Sequence, residues 1–373
     1  MTGTNLELTS TITEDNKLEL SLCEIEIPQP GDNQVVVRMQ AAPLNPSDLG
    51  VMFSLADMTT ARQSGSADRP VLSADVPAKF MSALKARVGK PVPVGNEGAG
   101  EVIAAGSSAS AQSLMGKTVA VIGGGTYRQY LCANVQNCME LEPGTTAIEG
   151  ASSFVNPLTA LAMVETMRAE GHTALVHAAA ASNLGQMLNR ICIADGVDLV
   201  NIVRKPEQEM LLRDMGAKYV INSSSDSFYA DLTAALIATG ATIAFDPIGG
   251  GKLASDILTC MEAAASRNMT EHSVYGSDVY KQVYIYGALD RGPITLNRGF
   301  GLAWGVSGFL LFNVLAKLGS ATSIAMRKRV AAEITTTFAS HYTHEVSLAE
   351  ALQLDNIAKY AKQATGEKFL IKP

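Results

Sequence analysis

The sequence predicts an α/β chain in which a mainly β part is joined to a doubly wound parallel sheet. Three observations carry that reading. From about residue 155, strand and helix signals alternate, the pattern of parallel strands linked by crossover helices. Before that point, β-branched runs are set off by proline and glycine. The length of 373 residues, with 47% hydrophobic and 17% charged, suffices for two folded domains with large cores.

Taken in order, residues 18 to 48 read as β structure, with Val35-Val36-Val37 after a turn marked by Pro28, Pro30 and Gly31. Residues 54 to 92 read as irregular, with one helix expected over Ala78 to Gly89. Strand character returns at Ala99 to Ala104 and at Lys117 to Ile122. Asn156-Pro157 has the form of a helix cap followed by proline at the first helical position. Then come strands at Thr173 to His177, Leu199 to Val203, Tyr219 to Ile221, Ala241 to Phe245 and Lys281 to Tyr286. Helices are expected between them, the second closed by Gly216 and the third by Gly240. This pattern is that of a Rossmann-type domain. A strand at Lys368 to Lys372 is expected to return to the first domain.

Composition excludes several function classes. The net charge of -7 offers no basic field for nucleic acid or anionic lipid. Five scattered cysteines point to a reduced compartment, and the polar N-terminus lacks the order of a signal peptide, so a cytoplasmic location is expected. The eighteen uncharged residues between Arg298 and Lys317 approach the length of a membrane span. Glycines, Ser307 and Asn313 within them favour a buried strand and helix instead. His341, His344 and Glu345 read as a surface pair on a helix, not as metal ligands.

In a doubly wound sheet, ligands bind where the first strand turns into its helix. Here the turn is Ala178-Ala-Ala-Ala-Ser-Asn-Leu-Gly185, which keeps one of the three fingerprint glycines. Ser182, Asn183, Leu184 and Gly185 still open a helix whose free amides favour a pyrophosphate, although a plain packing turn fits too. Asn183 tolerates the left-handed backbone that a glycine would otherwise supply. After the second strand, Arg204 and Lys205 stand where a site for NAD carries an acid. Two cations suit a ribose 2′-phosphate, so NADPH is expected over NADH; a solvated helix start is the alternative.

Together these segments resemble the zinc-independent medium-chain dehydrogenases/reductases of the quinone oxidoreductase branch. The resemblance rests on Ala41-Ala-Pro-Leu-Asn-Pro-Ser-Asp48, Pro93-Val-Gly-Asn-Glu-Gly-Ala-Gly100, Gly124-Gly-Thr-Tyr-Arg-Gln-Tyr130 and Pro157-Leu-Thr-Ala160. It continues through Asp246-Pro-Ile-Gly-Gly250, Tyr286-Gly-Ala-Leu289 and the closing Gly366-Glu-Lys-Phe-Leu-Ile-Lys-Pro373. The resemblance implies a GroES-like catalytic domain over 1–154, a Rossmann cofactor domain over 155–314 and a return to the first over 315–373. It implies Asn45 and Thr159 at the nicotinamide, and Asn222, Asp246, Ile248, Tyr286, Gly287 and Ala288 along the remaining cofactor. Lys368 would close over it. Turn, cap or surface roles are the competing readings for Asn45, Thr159 and Lys368.

Where the zinc-dependent branch places a cysteine and a histidine, this chain has Asn45 and Asn96, so no metal is expected. The implied activity is NADPH-dependent hydride transfer to a quinone or conjugated enone, in a homodimer paired near Trp304 to Phe312. Asn45-Pro-Ser-Asp-Leu-Gly-Val-Met52 and Asn201-Ile-Val-Arg204 also resemble 2-enoyl thioester reductases. Those carry a tyrosine acid soon after the first loop, whereas the first tyrosine here is Tyr127, a candidate substitute donor or a structural strand residue. A protein that binds NADPH with little turnover, as a sensor or structural component, is the third reading.

Overall fold

Alternating apolar residues decide the first sheets. Thr4–Ile12 and Lys17–Glu26 bury Leu8, Ile12, Leu18 and Leu20 completely, and Gln34–Pro43 buries Val35, Val36 and Val37. The computed structural model describes residues 3–267, 269–271 and 273–373; Met1, Thr2, Asn268 and His272 lie outside the described residues. The chain packs as two units, Met1–Val155 with Arg327–Pro373, and Asn156–Met326.

The first unit is mainly β. One sheet of five strands runs Asp57–Gly65, Pro70–Asp75, Lys17–Glu26, Thr4–Ile12 and Val92–Pro93. A second, of seven, centres on Gln34–Pro43, which pairs with Glu97–Ala105, Tyr130–Asn134 and the returning Phe369–Lys372. The closing strand therefore does come back to the first sheets, where Phe369 and Ile371 join a core with Leu8, Met52 and Tyr127.

The second unit holds six parallel strands in the order Tyr219–Asn222, Asp198–Val203, Ala174–Ala178, Ile243–Asp246, Lys281–Ile285 and Trp304–Gly308. Counted along the chain this is 3-2-1-4-5-6, the doubly wound nucleotide-binding order. Its inner strands are mostly apolar because both faces are covered, as Leu175, Val176, Val200 and Ile243 show. The helices Asn183–Asp195 and Phe228–Thr239 each end on a glycine in the left-handed region, Gly196 at φ 66° and Gly240 at φ 68°.

Several local expectations are corrected. Residues 57–75 form an antiparallel hairpin, not an irregular stretch. The helix expected over 78–89 is broken into the short turns Ala78–Phe80, Met81–Leu84 and Lys85–Arg87. The helix expected to start at Pro157 begins at Val155 and runs to Ala169. His344 opens a strand, His344–Ser347, and stacks on Phe369 at 4.4 Å. The uncharged run does contain a strand and a helix, Trp304–Gly308 and Leu311–Leu318, but that helix buries no residue. No helix among the described residues is long and apolar enough to cross a membrane.

Candidate active site

In the first unit the site residues grow out of the end of Gln34–Pro43. Asn45 caps the short helix Pro46–Met52, and Asp48 Oδ2 accepts from the Asn45 amide at 2.7 Å. The Asn45 side chain donates to Glu97 Oε1 at 2.8 Å, and Glu97 Oε2 accepts from the Phe154 and Val155 amides at 2.8 and 3.0 Å. Glu97 is fully buried, and burial raises its pKa while the Lys368 ammonium opposes the rise. Lys368 Nζ donates to Ser152 Oγ at 2.7 Å and stands 5.5 Å from the Tyr342 ring centre. Burial lowers the Lys368 pKa to about 8, against the pull of Glu97 and Asp48.

Asp48 is pushed the other way. Burial raises its carboxyl to about 7, and Oδ1 has no hydrogen-bond partner among the described residues. Tyr127 lies beside it, wholly buried, with its hydroxyl donated to the Pro43 carbonyl at 2.9 Å. Burial first, then the Asp48 charge, carries the Tyr127 pKa well above the usual phenol value. The Asn96 side chain donates to Ser47 Oγ at 3.1 Å. Asn45, Lys368 and Tyr127 are thus brought together around two carboxyls, Asp48 and Glu97.

In the second unit the expected residues gather at the carboxyl ends of the parallel strands. Ser182 caps Asn183–Asp195 by accepting from the Gly185 amide at 3.2 Å. A Cβ on Gly185 would lie 2.1 Å from the Ala180 carbonyl oxygen, so only glycine lets helix and strand approach this closely. The left-handed residue of the turn is Ala179, at φ 49°, and not Asn183, which is already helical. Leu184 is buried in the turn.

Arg204 and Lys205 follow the second strand, exposed, their amides donating to Gln208 Oε1 at 3.0 and 3.2 Å. Asn222 donates to Glu209 at 2.7 Å. Asp246 accepts from the Ile248 amide at 2.8 Å and so shapes its own loop. Tyr286 begins the next loop with its hydroxyl 2.7 Å from His177 Nε2. At Gly287 a Cβ would lie 2.5 Å from the Pro247 carbonyl oxygen, which holds the 286–288 loop, with Ala288, against Pro247. Thr159 is buried one turn into Val155–Ala169.

No protein-family model matches the chain. Among curated proteins it is 28% identical to the mitochondrial enoyl-[acyl-carrier-protein] reductase of Xenopus tropicalis, over 74% of this chain and 68% of that one. The mouse protein of the same name is 27% identical over 74% of this chain and 64% of its own length. The matched region thus spans about two thirds of these relatives. Among solved structures, a candidate NADPH:quinone reductase from Mesorhizobium loti superposes with a TM-score of 0.74 and 25% identity, over 100% of both chains. The chain shares the fold of the medium-chain dehydrogenases/reductases. The mitochondrial 2-enoyl thioester reductase heterodimer of Candida tropicalis shares its fold, with a TM-score of 0.67 and 19% identity over 100% of both chains.

The site departs from the pattern expected of its sequence at a few residues. Glu97, Asp48, Ser152 and Tyr342 were not among the expected site residues, although Asp48 and Glu97 are acids flanked by apolar and small neighbours. His177, a polar residue inside the strand Ala174–Ala178, carried a similar signal. Among the described residues no group of three or more His, Cys, Asp or Glu is placed to hold a metal ion.

Proposed function

We propose that the chain is an NADPH-dependent oxidoreductase that passes a hydride to a quinone or conjugated enone, without zinc. The observation that carries the cofactor is the Ser182-capped turn. It joins a close helix–strand contact at Gly185 to a thirteen-residue helix whose free amides favour an anion. The two exposed cations, Arg204 and Lys205, follow the next strand and suit a 2′-phosphate. When bound, NADPH supplies the hydride. In this reading Asn222, Asp246, Ile248 and the 286–288 loop line the rest of the dinucleotide. Thr159, Asn45 and Lys368 serve its nicotinamide end.

The chain's own residues do three things. They fix the cofactor by backbone amides, orient the acceptor, and hold polar groups where negative charge develops on an oxygen. Lys368, with a pKa near 8, is the cation of the first unit best suited to that last task. Of the two roles weighed for Tyr127, substitute donor and structural residue, the structural one is favoured, because its buried hydroxyl is committed to Pro43. The protein works as a homodimer in this reading, and Trp304–Gly308 is the edge that pairs.

A second reading is reduction of a 2-enoyl thioester, and the names of the curated relatives favour it. Purified protein mixed with NADPH or NADH, and then with quinones, enones or enoyl thioesters, separates the two by loss of nicotinamide absorbance. NADPH oxidation by quinones or enones is the expected result. The double variant R204E/K205E is expected to raise the KM for NADPH by about tenfold or more, with little effect on NADH, the loss of two phosphate contacts. Turnover confined to thioesters would replace the first reading by the second, and tight NADPH binding without turnover would favour a sensor.

A further inference from the structure

The parallel sheet buries two polar side chains where apolar ones are the rule. His177 and Asn201 are register partners on Ala174–Ala178 and Asp198–Val203, and both are fully buried. Asn201 Nδ2 donates to Oδ1 of Asn189, a buried residue of the helix Asn183–Asp195, at 3.3 Å, and to the Tyr219 carbonyl at 3.4 Å. On its other side His177 Nε2 lies 2.7 Å from the Tyr286 hydroxyl, with the two rings stacked at 5.8 Å between centroids. A buried polar row therefore runs from the 286–288 loop to the helix that the Ser182 cap opens.

Three atoms of the row are buried with no hydrogen-bond partner among the described residues: His177 Nδ1, Asn201 Oδ1 and Asn189 Nδ2. Their chemistry is complementary. Both contacts of Asn201 Nδ2 are with oxygens, which fixes which way the amide faces. Tyr219 belongs to the neighbouring strand on one side, so Oδ1 is left for the other neighbour, which carries His177.

Burial drives the His177 pKa down to about 3, so the ring is neutral and carries a single proton. On Nε2 that proton would leave the Tyr286 hydrogen without an acceptor and set Nδ1 beside a second acceptor, Asn201 Oδ1. On Nδ1 it faces the Asn201 oxygen, and Nε2 is free to accept from Tyr286. Each buried group left unbonded costs about 1–3 kcal/mol, which favours the second arrangement. One water that accepts from Nδ1 and Asn189 Nδ2 and donates to Asn201 Oδ1 satisfies all three atoms.

We infer that His177 is a positioning residue: held with its proton on Nδ1 toward Asn201, it accepts the Tyr286 hydrogen bond and ties the 286–288 loop to the capped helix. The inference rests on the oxidoreductase reading above, which puts both ends of this row at NADPH. His177 touches no reacting atom and acts through Tyr286. A loop already ordered loses less freedom when the cofactor arrives.

Selective ¹⁵N labelling of the histidines in the full chain, without cofactor, reads the proton position by NMR. The His177 signals, identified by their loss in His177→Gln, are expected to show a protonated Nδ1 and a bare Nε2 between about pH 5 and 8. A proton on Nε2, or a ring that charges in that range, overturns the inference. NADPH affinity, followed by nucleotide fluorescence with no acceptor present, reads the loop. His177→Leu is expected to weaken it by about tenfold. His177→Gln, whose side-chain oxygen can accept from Tyr286, should recover most of the loss. Tyr286→Phe, which keeps the ring and removes the hydroxyl, should match the leucine variant.

Circular dichroism checks that each variant is folded. Equal losses in the leucine and glutamine variants would make His177 a packing residue only, and unchanged affinity in folded His177→Leu and Tyr286→Phe would likewise sink the idea. The NMR arm keeps the two levels apart. If wild type carries the proton on Nδ1 but binds no NADPH, the tie between loop and helix stands and the oxidoreductase reading fails. If NADPH binds and is oxidised while the proton sits on Nε2, that reading stands and the role given to His177 fails.

Discussion

Asp48 shows how one buried carboxyl sets a pH response. Its pKa of about 7 stands above the ordinary 3.8, because burial penalises the charged form more than the Asn45 amide stabilises it. The folded state therefore holds this proton more tightly than the unfolded state does. The stability it contributes is complete below pH ~4 and is lost as pH rises through 7. Glu97, Lys368 and Tyr127 face the same group, and Lys368, at about 8, titrates above that window. Asp48→Asn keeps an acceptor for the Asn45 amide and removes the titration. Between pH 4 and 7 the stability of wild type, followed by urea unfolding, should fall relative to D48N, and parallel curves would refute the assignment. At this scale the sequence told a mixed story. Ser182 and Gly185 were legible because a cap and a close approach each demand a residue type. Ala179 was not, because nothing in its type announces φ 49°; a non-glycine left-handed residue costs roughly 1–2 kcal/mol and survives only where neighbours impose it.

Elements were legible in proportion to their burial. The parallel strands of the second unit were found nearly in full, since strands covered on both faces are mostly apolar, with His177 and Asn201 as buried exceptions. The hairpin Asp57–Gly65 with Pro70–Asp75 was missed because its outer strand buries no residue and carries a polar, weakly β-prone sequence. Pairing with Lys17–Glu26, not local propensity, makes it a sheet. The helix Leu253–Ser266 holds a different lesson. Its Glu262 carries the fully buried Lys281 ammonium at 2.6 Å, and Lys281 also donates to Ser277 Oγ and the Val279 carbonyl at 3.1 and 2.8 Å. Against burial, which raises it, the bonds that Glu262 accepts from Lys281, the Ser277 amide and hydroxyl and Ser266 hold its pKa at about 2, so their contribution is full above pH ~4.5 and is lost as pH falls through 2. Glu262→Gln would strand a buried cation and is expected to cost about 3–5 kcal/mol. The double variant with Lys281→Met should recover part of that loss, as chemical denaturation of the four proteins in a cycle would reveal. A double variant as unstable as the single one would mean that packing, not charge, is what Lys281 supplies.

For the whole molecule, the open question is how the last strand of the parallel sheet is finished. Trp304–Gly308 ends the strand order with one edge unpaired among the described residues. An unpaired edge is a template for association, and natural chains usually blunt it with charge or proline. Here it is flanked instead by Leu302, 64% exposed, and Phe312, 60% exposed. Single exposed apolar residues are ordinary, but apolar residues on both sides of a bare strand edge suit a partner that covers them. A second copy fits, since two identical Trp304–Gly308 edges pair about a twofold axis and each covers the other. Light scattering at about 10 μM should then report twice the 39.3 kDa of one chain, a concentration at which an interface of ordinary size stays associated. Leu302→Glu with Phe312→Glu touches no buried core position and should give a folded monomer with unchanged NADPH affinity. A wild-type monomer would remove the dimer from the proposal. A variant that stays dimeric would keep the dimer and move its interface to another face, leaving the bare strand without an explanation in association.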